Sequence, residues 1–249
     1  MTLAFKNTPM SKSEAIEKAV AHRLADEFAQ GYWWENGKGC SLGCMFHDLT
    51  ENNWFETASS QTGIPLEIVH LQDRVFEGLP AEKAKHWTER FYRAVPEGAD
   101  LSSVTPKLLL WLLTDEKHGV LRFTEDGSDH RRAVLTIADM LHRKIDGDDP
   151  TPGEWAAARA AADAAAPADA EETAECPPEW HATRAAWDAA WSEDSSKRDT
   201  WAAPRAAAGA VERAAAGAAR AAAEAAAWAA WEAMADKLIE MLEKNHDRP

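Results

Sequence analysis

The residue types able to do chemistry crowd into one stretch, "YWWENGKGCSLGCMFH", residues 32–47. Cys40, Cys44 and His47 stand at C-x3-C-x2-H. On a helix the two cysteines share a face at i and i+4, and His47 follows at i+3 from Cys44. Three such donors can hold Zn2+, with His70, Asp48 or water in fourth place, although no second ligand pair accompanies them. The same stretch can instead cradle an anion. Gly37, Gly39 and Gly43 allow successive amides to turn inward, and Lys38 adds a charge. Trp33 or Trp34 can then stack on a base, which makes Trp33, Trp34, Gly37, Lys38, Gly39, Cys40 and Ser41 the candidate ligand-binding residues. The spacing matches neither G-x-x-x-x-G-K-[ST] nor G-x-G-x-x-G, and no strand precedes it.

A third chemistry is nucleophilic. Gly39 precedes Cys40, so a helix starting at Cys40 or Ser41 would place backbone N–H groups near the thiol and lower its pKa. "NGKGCSLGCMF" loosely resembles the papain-like protease motif, with Cys44 in the nucleophile's place. An extra residue separates the cysteines, the following tryptophan is missing, and no β-rich half with His and Asn follows. No complete catalytic constellation is present, so no catalytic residue is assigned. The fourth use of these residues is packing: glycines for tight turns, cysteines as small apolar bulk, and Trp33, Trp34, Met45 and Phe46 as core.

The elements that must position this stretch are helical. "SKSEAIEKAVAHRLADEFAQG" begins with Ser11 or Ser13 as N-cap and repeats Ala15, Ile16, Val20, Leu24 and Phe28 at helical spacing until Gly31. "IPLEIVHLQDRVFEGLP" and "AEKAKHWTERFYRAV" predict two more helices, and others fit 103–118 and 129–145. No period-2 strand stands out. The expected fold is all-α: a helical bundle with a long Ala-rich C-terminal helical hairpin or extension.

Composition changes sharply after "DGDDPTPGEW". Residues 1–150 then read as an N-terminal bundle carrying the Gly/Cys turn, and 151–249 as an Ala/Trp-rich helical region packing on it or on a second copy. The cluster at 146–153 can equally be a helix–helix loop. Arginines at 205, 213 and 220 head a degenerate "RAAAGA" repeat, which predicts a helix over about 203–245 despite Gly209 and Gly217. Trp180, Trp187 and Trp191 fall on one helix face, with Trp228 and Trp231 near the end of the long helix. They supply the bulk that alanine lacks, in preference to a base-stacking platform.

The chain has 42 acidic and 27 basic residues, a net charge of -15. That balance opposes non-specific binding to nucleic acid or anionic membrane and suits an acidic surface meeting a basic partner. No apolar segment reaches membrane length. Three cysteines, an odd count, point to a reducing compartment and a cytoplasmic protein.

Together, "GYWWENGKGCSLGC..H", "GIPLEIVHLQDRVFEGLP" and the Ala- and Trp-rich tail resemble a family of uncharacterised bacterial and phage proteins. The resemblance covers most of the chain and implies no stated activity; its phage and prophage setting implies a role in phage–host conflict. The expected function is therefore non-enzymatic binding of a partner protein or a small phosphate-bearing, nucleotide-like ligand, for example by an inhibitor of a host-defence system. A metal- or cysteine-dependent enzyme centred on Cys40, Cys44 and His47, and a homo-oligomer built through the Ala-rich helices, are the alternatives. No cofactor is expected, zinc being the alternative that the C-x3-C-x2-H spacing leaves open.

Overall fold

A computed structural model describes residues 3–49, 53–166, 178–193 and 220–247. Among these residues the protein is all-α, with ten α-helices and one two-stranded hairpin. The chain divides into two compact units, Met1–Val104 with Met234–Pro249, and Thr105–Ala233. The compositional change near residue 150 is therefore not where compactness divides. Residues 146–151 are a turn inside the second unit, joining two of its helices.

The first unit contains α1 (Lys12–Leu24), the hairpin β1 (Trp34–Glu35) and β2 (Lys38–Gly39), α2 (Ser41–Phe46), α3 (Trp54–Thr62), α4 (Leu66–Gly78) and α5 (Ala81–Ala94). α1 begins with a capping box between Ser11 and Glu14, the reciprocal pair that satisfies two orphan donors. It packs on α5 and α2, and α4 packs on α2, α3 and α5. Val69, Leu71, Val75 and Phe76 of α4 and Trp87 and Phe91 of α5 are buried as helical spacing predicts; Ile68 is buried as well, and Leu66 only half-buried.

α1 ends earlier than its apolar spacing suggests. Phe28 lies beyond the helix and bridges Gly39 instead. The stop is a Schellman turn: Glu27 N donates to His22 O and Asp26 N to Arg23 O, with Asp26 left-handed at φ 55. Where such turns usually carry an apolar contact, here the two flanking side chains pair through His22 Nδ1 and Glu27 Oε2 at 2.6 Å.

The second unit begins within α6 (Val104–Thr114) and contains α7 (Asp129–Ile145), α8 (Pro152–Ala165) and α9 (Pro178–Glu193), with a 310 turn over Val120–Phe123. α7, α8 and α9 pack on one another. Trp155 and Trp180 are buried, as are Ala158, Ala162, Ala182, Ala186 and Ala189, so large rings and alanines share this core. Trp187 is partly exposed with the Arg184 guanidinium over its ring at 4.6 Å. The side chain of Trp191 lies outside the described residues.

The described part of the long C-terminal helix is α10 (Arg220–Glu243), where Trp231 is buried and Trp228 is 44% exposed. The expected helical stretch before it, with Gly209, Gly217 and the first two arginine repeats, lies outside the described residues, as do 167–177 and 194–200. An oligomer built through that alanine stretch falls outside them too. No helix among the described residues is long and apolar enough to cross a membrane.

Candidate functional site: the Gly/Cys turn and the carboxylates beneath it

Between Phe28 and Cys40 the chain folds back as a two-residue hairpin. Asn36 and Gly37 occupy its tip with φ 51 and 79, the doubly left-handed pair of a type I′ turn. The dipeptide Asn36-Gly37 is a hairpin signal that a search for longer alternating runs misses. The returning strand and the first turn of α2 then pass so close to Trp33 that Gly39 and Gly43 cannot carry side chains. A Cβ on either would overlap the Trp33 carbonyl oxygen, and one on Gly39 would also sit 3.0 Å from the Trp34 ring. That carbonyl accepts from Cys40 N at 3.1 Å. The glycines thus build a close backbone approach, not an inward row of amides.

The tryptophans are already stacked. Trp33 lies on Trp54 at 4.3 Å and Trp34 on the His47 imidazole at 3.7 Å, only 10° from parallel. Lys38 reaches Asp26 at 3.5 Å, and Asp26 also pairs with Lys85. The groups assigned to an anion or base are therefore engaged with the protein itself. Ser41 is buried and accepts hydrogen bonds from Gln72 and from Thr88 at 2.8 Å, tying the start of α2 to α4 and α5.

Cys40 is the N-cap of α2, its sulfur accepting from Gly43 N at 3.4 Å. Position at a helix start would lower its pKa, but burial and then the nearby Asp73 carboxylate push it well up. Cys44 is fully buried, donates to the carbonyls of Gly39 and Glu27, and is pushed up to about 12 by burial and then by Glu27. Burial therefore opposes thiolate formation at both cysteines, against what position at a helix start alone would do.

Cys40 and Cys44 have different surroundings. Cys44 turns to main-chain carbonyls, His47 stacks on Trp34 with Nδ1 3.2 Å from the Gly43 and Cys44 carbonyls, and Cys40 meets carboxylates. His70 stacks on Phe55 and Asp48 pairs with Lys18, at 4.1 and 2.8 Å. Among the described residues, the one group of three His, Cys, Asp or Glu side chains whose donor atoms all lie within 4.8 Å of one another is Cys40, Asp73 and Glu77.

Asp73 and Glu77 sit at i and i+4 on α4, one turn apart on the same face. Burial and then Glu77 push Asp73 up to about 7, and burial raises Glu77 as well. Glu77 Oε2 accepts from Gly31 N at 2.9 Å, so the loop before the hairpin fixes that carboxylate. Neighbouring Gln30 spans the end of α4, donating to the carbonyls of Phe76, Glu77 and Leu79 at 2.7, 3.1 and 2.8 Å. Sequence reasoning missed Asp73 and Glu77 because their partner Cys40 stands more than thirty residues away. The available signal was a pair of acids, four apart, in the otherwise apolar run "LQDRVFEGL".

Comparison of the chain with protein-family models, with curated proteins and with solved structures finds no match.

Proposed function

We propose that this is a non-enzymatic binding protein whose partner is another protein, met through an acidic and partly apolar surface of the first unit. The observation that carries this reading is that the reactive-looking turn is spent on the fold. Its thiols are buried in surroundings that oppose ionisation, its tryptophans stacked, and its lysine held by Asp26. A small phosphate ligand is disfavoured there, because an anion at Cys40 would meet Asp73 and Glu77. The arginines of the cleft between α5 and the end of α10 do not offer an anion site either: Arg23 and Arg93 pair with Glu89, and Arg90 with Asp236.

What remains outward is Leu24, 73% exposed at the end of α1, and Tyr32, 41% exposed before the hairpin. Exposed Asp26 and Glu35 flank them in the chain. Exposed apolar side chains with Glu35 near them in the chain suit a basic protein surface, in keeping with the net charge of -15. Given the resemblance to bacterial and phage proteins, the concrete form of this reading is an inhibitor that covers such a surface on a host-defence protein.

The test is capture from bacterial lysate by wild type and by the double variant L24K/E35K, alongside native mass spectrometry of the purified protein. The expected result is a protein retained by wild type, released as ionic strength rises, and missed by the variant. A co-purifying nucleotide, or alkylation of the folded protein by iodoacetamide at neutral pH, would overturn the reading.

A further inference from the structure

The three side chains at the foot of the Gly/Cys turn form an unusual set. A thiol and two carboxylates converge from two separate segments, Cys40 from the start of α2 and Asp73 with Glu77 from α4. Cys40 is buried and its thiol hydrogen-bonds the Asp73 carboxylate, whose Oδ1 is enclosed by protein with no donor of its own. An enclosed carboxylate oxygen is costly to leave without a donor, so native structures normally supply it with a partner. Arg74 is the cation whose charge reaches both carboxylates, and burial outweighs it at each. An oxygen-and-sulfur pocket of this kind calls for a cation small enough to enter it.

We propose that Cys40 Sγ, Asp73 and Glu77 bind a zinc-class divalent cation, with water completing a four-coordinate shell. In tetrahedral geometry, metal–sulfur bonds near 2.3 Å and metal–oxygen bonds near 2.1 Å place the donors roughly 3.5 Å apart. The present spread of up to 4.8 Å closes to that with side-chain adjustments of about 1 Å. One thiolate and two carboxylates suit zinc or cobalt; calcium and magnesium take oxygen ligands only.

On binding, the Cys40 S–H bond breaks, its proton passes to solvent, and the sulfur lone pair forms the bond to the metal. The carboxylates contribute oxygen lone pairs, and no oxidation state changes. Two hydrogen bonds already orient the donors: Gly43 N to Cys40 Sγ, and Gly31 N to Glu77 Oε2, which leaves Glu77 its other oxygen. This site differs from the C-x3-C-x2-H set, since Cys44 and His47 are not in the converging group.

Chelator-treated full-length protein titrated with Co2+ tests the proposal. The expected result is one equivalent bound, with the thiolate-to-cobalt charge-transfer band in the near ultraviolet, displaced by Zn2+. Cys40→Ser removes the band. Asp73→Asn and Glu77→Gln each weaken binding at least tenfold, while Cys44→Ala leaves band and affinity unchanged. Asp73→Asn is isosteric and spares a buried charge, so its urea midpoint in chelator shows that lost binding is not lost folding. A band that survives Cys40→Ser but disappears in Cys44→Ala overturns the ligand set, and folded wild type that takes up neither Co2+ nor Zn2+ overturns the site.

Discussion

At the scale of single residues, the glycines of the turn do different jobs, and their substitutions separate them. At Gly37 no atom lies within 4 Å of an added Cβ, and only the φ of 79 opposes it. Gly37→Ala is expected to cost about 1 kcal/mol, the usual penalty for a left-handed non-glycine residue. Gly43 has an ordinary φ, but its Cβ would overlap the Trp33 carbonyl. Gly43→Ala is expected to cost about 3 kcal/mol, since two backbone segments must part. Urea midpoints of the two variants check the order; equal losses would mean that close approach is not what Gly43 provides.

His22 carries a pH dependence. Burial lowers its pKa despite Glu27, which holds its ring; His47 and Lys18 also lower it, and the ring contacts Phe28 and Trp34. A base whose folded pKa is depressed binds fewer protons folded than unfolded. Its stability contribution is therefore present above the ordinary value of 6.5 and lost as pH falls below it. Urea midpoints measured from pH 7.5 down to pH 5 should fall in wild type, and fall less in His22→Gln; parallel curves would assign the loss to other groups.

At the scale of elements, helix interiors and helix ends obey different rules. The faces of α4, α5 and α7 follow from periodicity, because an apolar stripe must be buried somewhere regardless of partner. The end of α1 follows from Asp26 accepting a left-handed conformation and from the His22–Glu27 pair. A second Schellman turn ends α7, where Asp148 N donates to Arg143 O and Gly147 N to Lys144 O, with Gly147 at φ 90. There too the flanking side chains meet, here as an ion pair of Arg143 with Asp148 at 2.7 Å. The end of α4 is closed by Gln30, a residue from another segment. Gln30→Ala is expected to cost about 1–2 kcal/mol and to speed amide exchange in the hairpin and the last turn of α4, because the carbonyls of Phe76, Glu77 and Leu79 lose their donor. Unchanged exchange there would show that solvent serves those carbonyls equally well.

At the scale of the whole molecule, composition and compactness divide the chain differently. Alanine enrichment begins near residue 150, yet one compact unit takes in Thr105–Ala233 and the other gathers Met1–Val104 with Met234–Pro249. Composition records which residues build a helix; which helices share a core depends on shape complementarity, and α6 and α10 each cross from one unit's residues to the other's.

The all-α class and most helix positions among the described residues were determined by the sequence alone, because propensity, periodicity and turn chemistry act over a few residues. The thiols' chemistry was decided only by tertiary structure. Cys40 sits at a helix start, which by local rules lowers its pKa, but α4 brings Asp73 and Glu77 against it and excludes water. Desolvation and like charge act through space, and over the short distances of this pocket they outweigh the few amide dipoles of a six-residue helix.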